Sequence, residues 1–315
     1  MIRPIAFGSS STGPLGGFTN NLADQKETSS ITIDDGFNLS DTSFFKVLHQ
    51  IEPEAVLDCV DNIIKYHEFY DLILCWNKRI LESCPNAKLF PQGTCTWMDW
   101  GCEKGDYNVL TCDPSKKKFK ASFLTSVKSF TPGQALRQQI YQALPPVVGT
   151  LPIEKYMTGA GVTGVEPWRN PQWLPSKRMI LDEYQFHITP QNASQDNWFD
   201  DKLQDALIAK TIPLYWGCPN VSDFFNMDGI IHFKTMDELM QRLSELTPDY
   251  YEKHRDAVED NFIRATKYVH VYRRLDEELA AGIERKLRED VRPDISFFTP
   301  ERAPYTYGFR PLRKP

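Results

Sequence analysis

Two carboxylates and an ammonium group, Asp200, Asp201 and Lys202, stand at the end of a polar loop, immediately before an amphipathic segment. If a helix begins there, its first N–H groups and its dipole attract anions such as phosphate. Carboxylates at the same place accept hydrogen bonds from sugar hydroxyls. Asp is also a common N-cap residue, and we assign that role to Asp200 and the ligand contact to Asp201. The three side chains together predict a site for a ligand that carries phosphate and sugar.

The surrounding sequence predicts the elements that would hold these side chains. Residues 184–226 have the pattern of a strand, a polar loop, an amphipathic helix, a buried strand and a Gly-Cys-Pro-Asn turn. Tyr215 lies in the second strand and His187 in the first, and we expect both side chains in the core. Gly217 is expected to supply permissive backbone dihedral angles at the turn.

Strand and helix patterns alternate along the chain, which is typical of a parallel α/β fold. An irregular stretch at 91–118 interrupts the alternation, so we divide the chain near residue 115. Ligands of such folds bind at the carboxyl ends of strands, where the loops at 126–133 and 191–202 lie. The other predicted elements are strands at 30–33, 44–50, 72–76, 119–125 and 229–233, helices at 54–65, 78–84, 134–144, 236–246 and 248–287, and loops over 145–178.

The charge and hydropathy of the chain exclude two classes of protein. The formal net charge is −6, whereas a general nucleic-acid binder needs a basic face, so no nucleic-acid partner is expected. No stretch approaches the ~20 apolar residues that cross a bilayer. The N-terminus has no apolar core typical of a signal peptide. We therefore expect a soluble or cytoplasmic protein without a transmembrane anchor.

The seven cysteines allow two interpretations. Six of them lie between Cys59 and Cys112, which fits disulfide bonds in an oxidising compartment or free thiols in a reducing one. We favour free thiols because nothing signals secretion. No C-x-x-C pair occurs and the histidines are scattered, so a structural zinc site is not expected.

Three blocks of the second half resemble the α-1,3-fucosyltransferases, glycosyltransferase family 10. The first block, FKASFLTS…ALRQQIYQAL (119–144), is similar to a strand, loop and arginine-bearing helix of that family. The second, DEYQFHITPQNASQDNWFDDKLQDAL (182–207), is similar to its Tyr-Lys-Phe strand, Glu-Asn-Ser loop and Tyr-Val-Thr-Glu-Lys helix start. The third is AKTIPLYWGCPNVSDFFN (209–226), which resembles bacterial members almost residue for residue.

The resemblance implies a GT-B-like α/β architecture, in which two Rossmann-like domains face each other across a cleft. We expect an acceptor-side domain at 1–115, a nucleotide-sugar-binding domain at 116–287 and an irregular tail at 288–315. It also implies an inverting transfer of fucose from GDP-fucose to a hydroxyl group of a glycan acceptor. Neither a metal ion nor another cofactor is expected, and no Asp-x-Asp motif of metal-dependent glycosyltransferases is present here.

The matching positions imply a role for each donor-site residue. Arg137 matches the arginine that neutralises donor phosphate, a task suited to a bidentate guanidinium; from the helix pattern alone it could equally be a surface charge or ion-pair partner. Lys202 matches the lysine that offsets charge on the leaving diphosphate, and Asp201 the glutamate that binds fucose or ribose. Trp198 stands where the family has a tyrosine near the donor. Asn192 is expected to order the donor loop through backbone bonds.

The first half supplies the candidate general base. Glu52, in an Ile-Glu-Pro sequence, falls near the family's first-domain carboxylate, which takes the acceptor proton. A carboxylate at a helix start is also favoured by the helix dipole without any catalytic role. Glu54, two residues further on, is the rival base.

Several motif positions differ from the family and leave the donor open. Asp201 replaces Glu, Asp200 replaces Thr, Gln191 replaces the Glu of Glu-Asn-Ser, and Trp198 lacks the phenol hydroxyl. One alternative is therefore a glycosyltransferase that uses another nucleotide sugar, such as an exostosin-like UDP-sugar enzyme. A second alternative is a carbohydrate- or nucleotide-binding module without catalysis.

Overall fold

A computed structural model describes residues 6–8, 29–95, 112–158 and 177–289. Two β-sheets organise these residues, the first built from the N-terminal half and the second from the C-terminal half. Nearly all neighbouring strands run parallel, with helices between them. The predicted α/β class is therefore confirmed.

The first sheet contains five parallel strands in sequential order. Val47 and Leu74 point into one core cluster, whereas Leu48 and Ile73 point into the cluster on the opposite face. Strands that are buried on both faces are apolar at successive positions, which explains why these segments were recognisable from sequence. The elements are β1 (Ala6–Gly8), β2 (Ser29–Ile33), β3 (Phe45–His49), α1 (Val60–Lys65), β4 (Leu72–Cys75), α2 (Lys78–Ser83) and β5 (Ala87–Leu89).

The second sheet has six strands in the order β11-β10-β9-β6-β8-β7, and its central strands β6 and β9 end beside each other. Among the described pairs, β7 with β8 is antiparallel and the others are parallel. The elements are β6 (Lys118–Ser126), α3 (Pro132–Ala143), β7 (Val147–Val148), β8 (Leu151–Thr158), α4 (Arg178–Leu181), β9 (Tyr184–Pro190), α5 (Asp201–Ile208), β10 (Ile212–Trp216), β11 (Ile231–His232), α6 (Met236–Ser244), α7 (Tyr250–Lys253), α8 (Arg255–Ala265) and α9 (Val271–Glu289).

The last helix of the described residues, α9, packs on the first sheet. Leu275 and Leu279 are buried in the same core cluster as Phe45 of β3. Lys286 donates to Asp71 at 2.6 Å and to the carbonyl oxygen of Phe44 at 2.6 Å. This helix of the second half of the sequence thus packs against the first sheet, which ties the two halves together.

The domain boundaries drawn from sequence, 1–115, 116–287 and 288–315, stay a prediction. The change from the first sheet to the second falls between β5 and β6, close to residue 115. The helix α9 belongs to the second predicted domain by sequence, yet it packs on the first sheet. The predicted tail begins at the last described residues.

The predicted helix 54–65 is wrong in its first half, since α1 begins at Val60. The chain instead makes a turn in which the N–H groups of Val56 and Leu57 both donate to the carbonyl of Pro53. Ala55, at a position of the predicted apolar face, is exposed. Helical spacing predicts a buried face only where tertiary structure places something against it, and here nothing in the described residues covers Ala55.

The predicted single helix 248–287 is also wrong, because the structure divides it into α7, α8 and α9. The breaks fall at His254 and at residues 266–270. The second break is where the chain leaves the second sheet for the first, so the helix axis must change direction there. A charged and evenly helix-favouring sequence does not reveal that requirement.

The loop prediction for 145–178 missed strand β8, while residues 159–176 lie outside the described part of the chain. The glycines and prolines of this stretch led to the loop prediction. Segment β8 is a strand because it pairs with β6 from Ala121↔Ile153 to Ser126↔Thr158. Cross-strand contacts decide strand formation more than intrinsic preference does, and Glu154 is engaged by Lys120 at 2.7 Å.

The described cysteines are buried free thiols, as favoured from sequence. They are Cys59, Cys75, Cys84, Cys95, Cys112 and Cys218, whereas Cys102 lies outside the described residues. Burial raises the pKa of the Cys75 thiol to about 12, so it stays protonated at neutral pH. Within the described ranges, no helix is both long and apolar enough to cross a membrane.

Candidate functional site

The loop that follows β9 is held by the first turns of α3. The N–H of Gly133 donates to the carbonyl oxygen of Asn192 at 3.0 Å. A Cβ atom on Gly133 would lie 1.7 Å from the carbonyl oxygen of Gln191, so only glycine permits this approach. Thr131 and Gln134 form a capping box that fixes the start of the helix. The loop therefore sits directly on the helix end.

Arg137, one turn further along α3, completes the support of this loop. Its Nη1 donates to the carbonyl of Pro190 at 2.7 Å, and its Nη2 donates to Oδ1 of Asn192 at 2.9 Å. The side chain is 6% exposed, which rules out the alternative of a surface charge. Burial lowers the pKa of Arg137, while the carboxylates of Asp200 and Asp201 act in the opposite direction. Two predicted donor-site residues are thus in direct contact.

Gly217, at the turn after β10, is required for a different reason from the one predicted. Its φ is not in the left-handed region, so special dihedral angles do not explain it. A Cβ atom would instead lie 2.4 Å from the hydroxyl of Tyr215 and 2.5 Å from Cγ of Gln191. Tyr215 is fully buried, as expected, and its hydroxyl accepts from the N–H of Cys218 at 2.8 Å.

The start of α5 carries the charged cluster that the sequence singled out. Asp200 is the N-cap and accepts from the N–H of Lys202 at 2.9 Å, which confirms its assigned role. The ammonium of Lys202 lies 2.6 Å from Oδ2 of Asp200 and 3.5 Å from Oδ1 of Asp201. The ammonium of Lys202 therefore interacts with both neighbouring carboxylates.

A second ammonium, Lys177, was not predicted from sequence. It forms an ion pair with Asp201 and another with Asp205, the latter at 2.9 Å. Burial opposes the charge of Lys177, but the two carboxylates raise its pKa. Lys177 precedes the short helix α4 and lies 28 residues from Asp205. No local pattern could have shown this pairing.

A cavity of about 180 Å³ opens at the carboxyl ends of β6 and β9. Arg137 and Lys202, from different helices, both line it. Glu52, Asn192, Trp198 and Asp201 are not among its lining residues. The charged and polar residues around it are Thr125, Ser126, Arg137, Lys177, His187, Thr189, Lys202 and Asp205. This is the location at which ligands of parallel α/β folds bind.

His187 lines this cavity although its ring is mostly buried, at 7% exposed. Its Nδ1 lies 2.8 Å from the hydroxyl of Ser122, so the expected core partner is present. Burial lowers the pKa of His187 to about 3, with Lys177 adding to the effect. The imidazole is therefore neutral at physiological pH and adds no charge to the cavity.

Glu52 lies in the first half, in the turn after β3. Burial raises the pKa of its carboxyl, and the carboxylate of Asp200 adds to this effect. Lys202 and Lys128 act in the opposite direction. Charged groups at the start of α5 and in the loop after β6 therefore influence the pKa of the Glu52 carboxyl.

Glu54, the rival base, is hydrogen-bonded to a residue of each half. Its Oε1 accepts from Nδ2 of Asn77, which is also the N-cap of α2. Its backbone N–H donates to Oε1 of Gln195 at 3.3 Å. The contacts of Glu54 are therefore those of a residue that joins loops, whereas the pKa of Glu52 is influenced by charged groups of the second half.

Trp198 lies between the two halves and is 2% exposed. Its indole N–H donates to the carbonyl oxygen of Ile51 at 3.1 Å, across 147 residues of sequence. Its ring packs against Trp76 with a centroid separation of 6.4 Å and an interplanar angle of 61°. The structure thus places this predicted donor-site residue against the loop that bears Glu52.

The described residues contain no group of three or more His, Cys, Asp or Glu side chains arranged to hold a metal ion. Of the lining ionic groups, Lys177 pairs with Asp205, Lys202 pairs with Asp200, and Arg137 is hydrogen-bonded to Pro190 and Asn192. What the arrangement offers chemically is a set of fixed cations at strand ends, whose charge also influences the carboxyl of Glu52 in the other half. Such cations oppose negative charge that develops on a leaving group.

Solved glycosyltransferase structures define the class of this fold. TarM matches with a TM-score of 0.50 and 10% sequence identity, over 81% of this chain and 54% of TarM. A UDP-forming trehalose-phosphate synthase from Burkholderia vietnamiensis matches with a TM-score of 0.51 and 9% identity, over 84% of this chain and 74% of the synthase. Both are GT-B glycosyltransferases, and the predicted GT-B-like fold is confirmed.

The resemblance to α-1,3-fucosyltransferases is confirmed over part of the chain. The α-(1,3)-fucosyltransferase FucT of Helicobacter pylori is 28% identical over 151 residues, which are 47% of this chain. This chain spans only 27% of that relative's length. A crystal structure of an α1,3-fucosyltransferase matches with a TM-score of 0.47 and 16% identity, over 83% of this chain and 78% of that one. No family model matches the chain.

Proposed function

We propose that the protein is an inverting glycosyltransferase that moves fucose from GDP-fucose to a hydroxyl group of a glycan acceptor. The observation that carries the proposal is the convergence of Arg137 and Lys202, two residues of the matched motifs, on one cavity at the strand ends. The similarity to the Helicobacter pylori fucosyltransferase supports the choice of sugar.

The donor diphosphate fits the cationic side of this cavity. Two of the five N–H donors of the Arg137 guanidinium support the loop at Pro190 and Asn192. The rest of this rigid, planar group is suited to phosphate oxygens. Lys202 lies 2.6 Å from Asp200, so an arriving phosphate exchanges one anionic partner for another. The ion pair with Asp200 therefore already offsets part of the free-energy cost of desolvating the Lys202 ammonium.

Glu52 acts as the general base in this proposal. Its carboxylate takes the proton of the acceptor hydroxyl while that oxygen forms a bond to the anomeric carbon from the face opposite the diphosphate. The bond from the anomeric carbon to phosphate oxygen breaks, and GDP leaves with the electron pair. Arg137 and Lys202 offset the charge that grows on the diphosphate. The raised pKa of Glu52 makes it a better proton acceptor than an exposed carboxylate.

The position of Asp201 supports a UDP-sugar as a second class of donor. Asp201 is one methylene shorter than the family glutamate, and its carboxylate pairs with Lys177 as well as Lys202. A sugar or ribose hydroxyl would meet a differently placed acceptor here. The fold neighbour with the TM-score of 0.51 is described as UDP-forming, which fits a UDP-sugar as the second candidate donor.

A panel of nucleotide sugars with nucleotide release as readout tests the proposal. GDP-fucose should give GDP release that depends on a glycan acceptor and persists in the presence of a chelator. Release from a UDP-sugar instead would replace the donor but keep the reaction class. Binding of GDP without release from any donor, with any acceptor, would favour the non-catalytic module and contradict the proposal.

A further inference from the structure

The peptide group between Ile51 and Glu52 is held from both halves of the protein. The carboxylate of Asp34 accepts from the N–H of Ile51 at 2.6 Å and from the N–H of Glu52 at 3.2 Å. On the other side, the indole N–H of Trp198 donates to the carbonyl oxygen of Ile51 at 3.1 Å. Both polar atoms of the peptide that leads into the proposed base are therefore bonded.

Asp34 is a buried residue of the first half with an unusual backbone conformation. The residue is 4% exposed and has a φ of 50°, a left-handed conformation that Asp tolerates better than most residues. Its N–H donates to the carbonyl of His49 at the end of β3. Burial raises the pKa of Asp34 to about 7, although the N–H groups of Ile51 and Glu52 act to lower it. Burial of this carboxyl group costs free energy, which its hydrogen bonds to the two N–H groups offset in part.

Trp198 contacts the same peptide group from the second half of the protein. It lies on the loop between β9 and α5, four positions before Lys202. Two neighbours in this loop also reach the first half: Nδ2 of Asn197 donates to the carbonyl of Trp76 at 3.1 Å, and Gln195 accepts from Glu54. The loop that leads into Lys202 is thereby docked on the loop that carries Glu52.

We propose that Asp34 and Trp198 are positioning residues that hold Glu52 against the acceptor hydroxyl, with Trp198 coupling that placement to the donor loop. The inference rests on the proposed function, because it needs Glu52 to be the base. Neither residue touches substrate in this account. Displacement of a reacting group by ~1 Å can lower the reaction rate ~100-fold. The hydrogen bonds that fix the peptide group before Glu52 therefore have a large effect on turnover.

Trp198→Phe tests the coupling, because it removes the indole N–H and keeps an aromatic ring. Trp76→Phe is its matched control: Trp76 is 1% exposed, packs against Trp198, and has an indole nitrogen with no hydrogen-bond partner among the described residues. We expect kcat to fall about 10- to 100-fold for Trp198→Phe while GDP affinity changes little, and to fall much less for Trp76→Phe. Equal losses in the two variants would overturn the proposal. So would a loss of GDP affinity at unchanged kcat, since that identifies a donor contact.

Asp34→Ala removes the acceptor on the other side of this peptide group, and Asp41→Ala is its control. Asp41 is also a carboxylate of the first half that accepts a backbone N–H, from Ser43 at 2.8 Å, but it does not contact Glu52. Amide hydrogen exchange over residues 48–56 gives a readout that needs no activity. Asp34→Ala and Trp198→Phe should each speed exchange there at least about tenfold, and the controls Asp41→Ala and Trp76→Phe should not.

The two failures can be told apart. A wild-type protein that releases no nucleotide from any donor contradicts the proposed function, while exchange still shows whether Asp34 and Trp198 hold the peptide. An active wild type whose Trp198→Phe variant behaves like Trp76→Phe in both kcat and exchange contradicts the positioning role and leaves the proposed function standing.

Discussion

Nη2 of Arg137 donates to Oδ1 of Asn192 at 2.9 Å, although the two residues are 55 positions apart. A helix of the second half thereby fixes the loop that precedes the charged start of α5. The contact makes Arg137 both a support for the loop and a cation beside the cavity. Substitution of this arginine should therefore affect loop order as well as charge, whereas loss of Lys202 should affect charge alone.

Gly133→Ala should disturb the donor loop through its backbone. The added Cβ would lie 1.7 Å from the carbonyl oxygen of Gln191, so the loop must move or the helix must shift. We expect a stability loss of about 1–3 kcal/mol, typical of overpacking, and at least about tenfold weaker GDP binding. Thermal unfolding and calorimetry measure the two effects.

Gly149→Ala is the matched control for that substitution. Gly149 has a φ of 60°, and the nearest heavy atom to its added Cβ would be 3.5 Å away. It should lose roughly 1–2 kcal/mol of stability from left-handed strain and bind GDP normally. Weaker GDP binding in this control would show that the Gly133 effect comes from general destabilisation.

Glu52→Gln should separate binding from chemistry. The amide keeps the shape of the side chain but cannot accept the acceptor proton, so transfer should fall about 10²- to 10⁴-fold with donor affinity unchanged. Glu54→Gln should lose less than about tenfold, because Glu54 serves as a hydrogen-bond partner of Asn77. If Glu54→Gln proves the more damaging change, the base has been assigned to the wrong residue.

Asp200→Asn should move the acidic limb of the pH–rate profile to lower pH. Burial and then the charge of Asp200 raise the pKa of Glu52, so removing that charge lowers this pKa and keeps the base ionised in more acidic solution. Asn also caps helices well, which preserves the start of α5. The profile of kcat/KM over pH measures the limb, and a shift to higher pH would contradict the proximity of Asp200 to Glu52.

Asp34 should make stability fall as pH rises between about 4 and 7. Burial raises its pKa in the folded state from 3.8 to about 7. The folded state therefore holds the proton more tightly, and ionisation through this window costs up to about 4 kcal/mol of folding free energy. Asp34→Asn should remove that slope in urea unfolding measured at both ends of the window.

Asp41→Asn provides a contrast of opposite sign. Burial would raise the pKa of Asp41, but hydrogen bonds from Ser30 and Ser43 lower it overall. Its contribution to stability is therefore present at neutral pH and lost as pH falls. If Asp34→Asn and Asp41→Asn change the pH dependence in the same direction, the environment assigned to Asp34 is wrong.

The donor half was accessible from sequence because its signals are local. The strand, loop, helix and turn between β9 and the end of β10 follow one another with clear patterns, and Asp200 caps α5 as its position suggested. The loops after β6 and β9 were also placed at strand ends by topology alone. These features depend on neighbouring residues along the chain.

What the sequence did not show depends on distant residues. Trp198 finds its acceptor at Ile51, 147 residues away, and Lys177 pairs with Asp201 across 24 residues. Both contacts exist only once the sheets are formed. The same holds for β8, a charged segment that becomes a strand by pairing with β6. Periodicity carries no information about such pairings.

Calorimetric titration with GDP tests the central claim most directly. The account predicts measurable binding to the wild-type protein, weakened about 10- to 100-fold in Lys202→Ala and in Arg137→Ala, since each removes a charge-assisted contact to phosphate. Arg273→Ala, which removes an exposed cation paired with Glu277, should bind as the wild type does. Undiminished GDP affinity in both cavity variants would contradict the assignment of this cavity to the donor diphosphate.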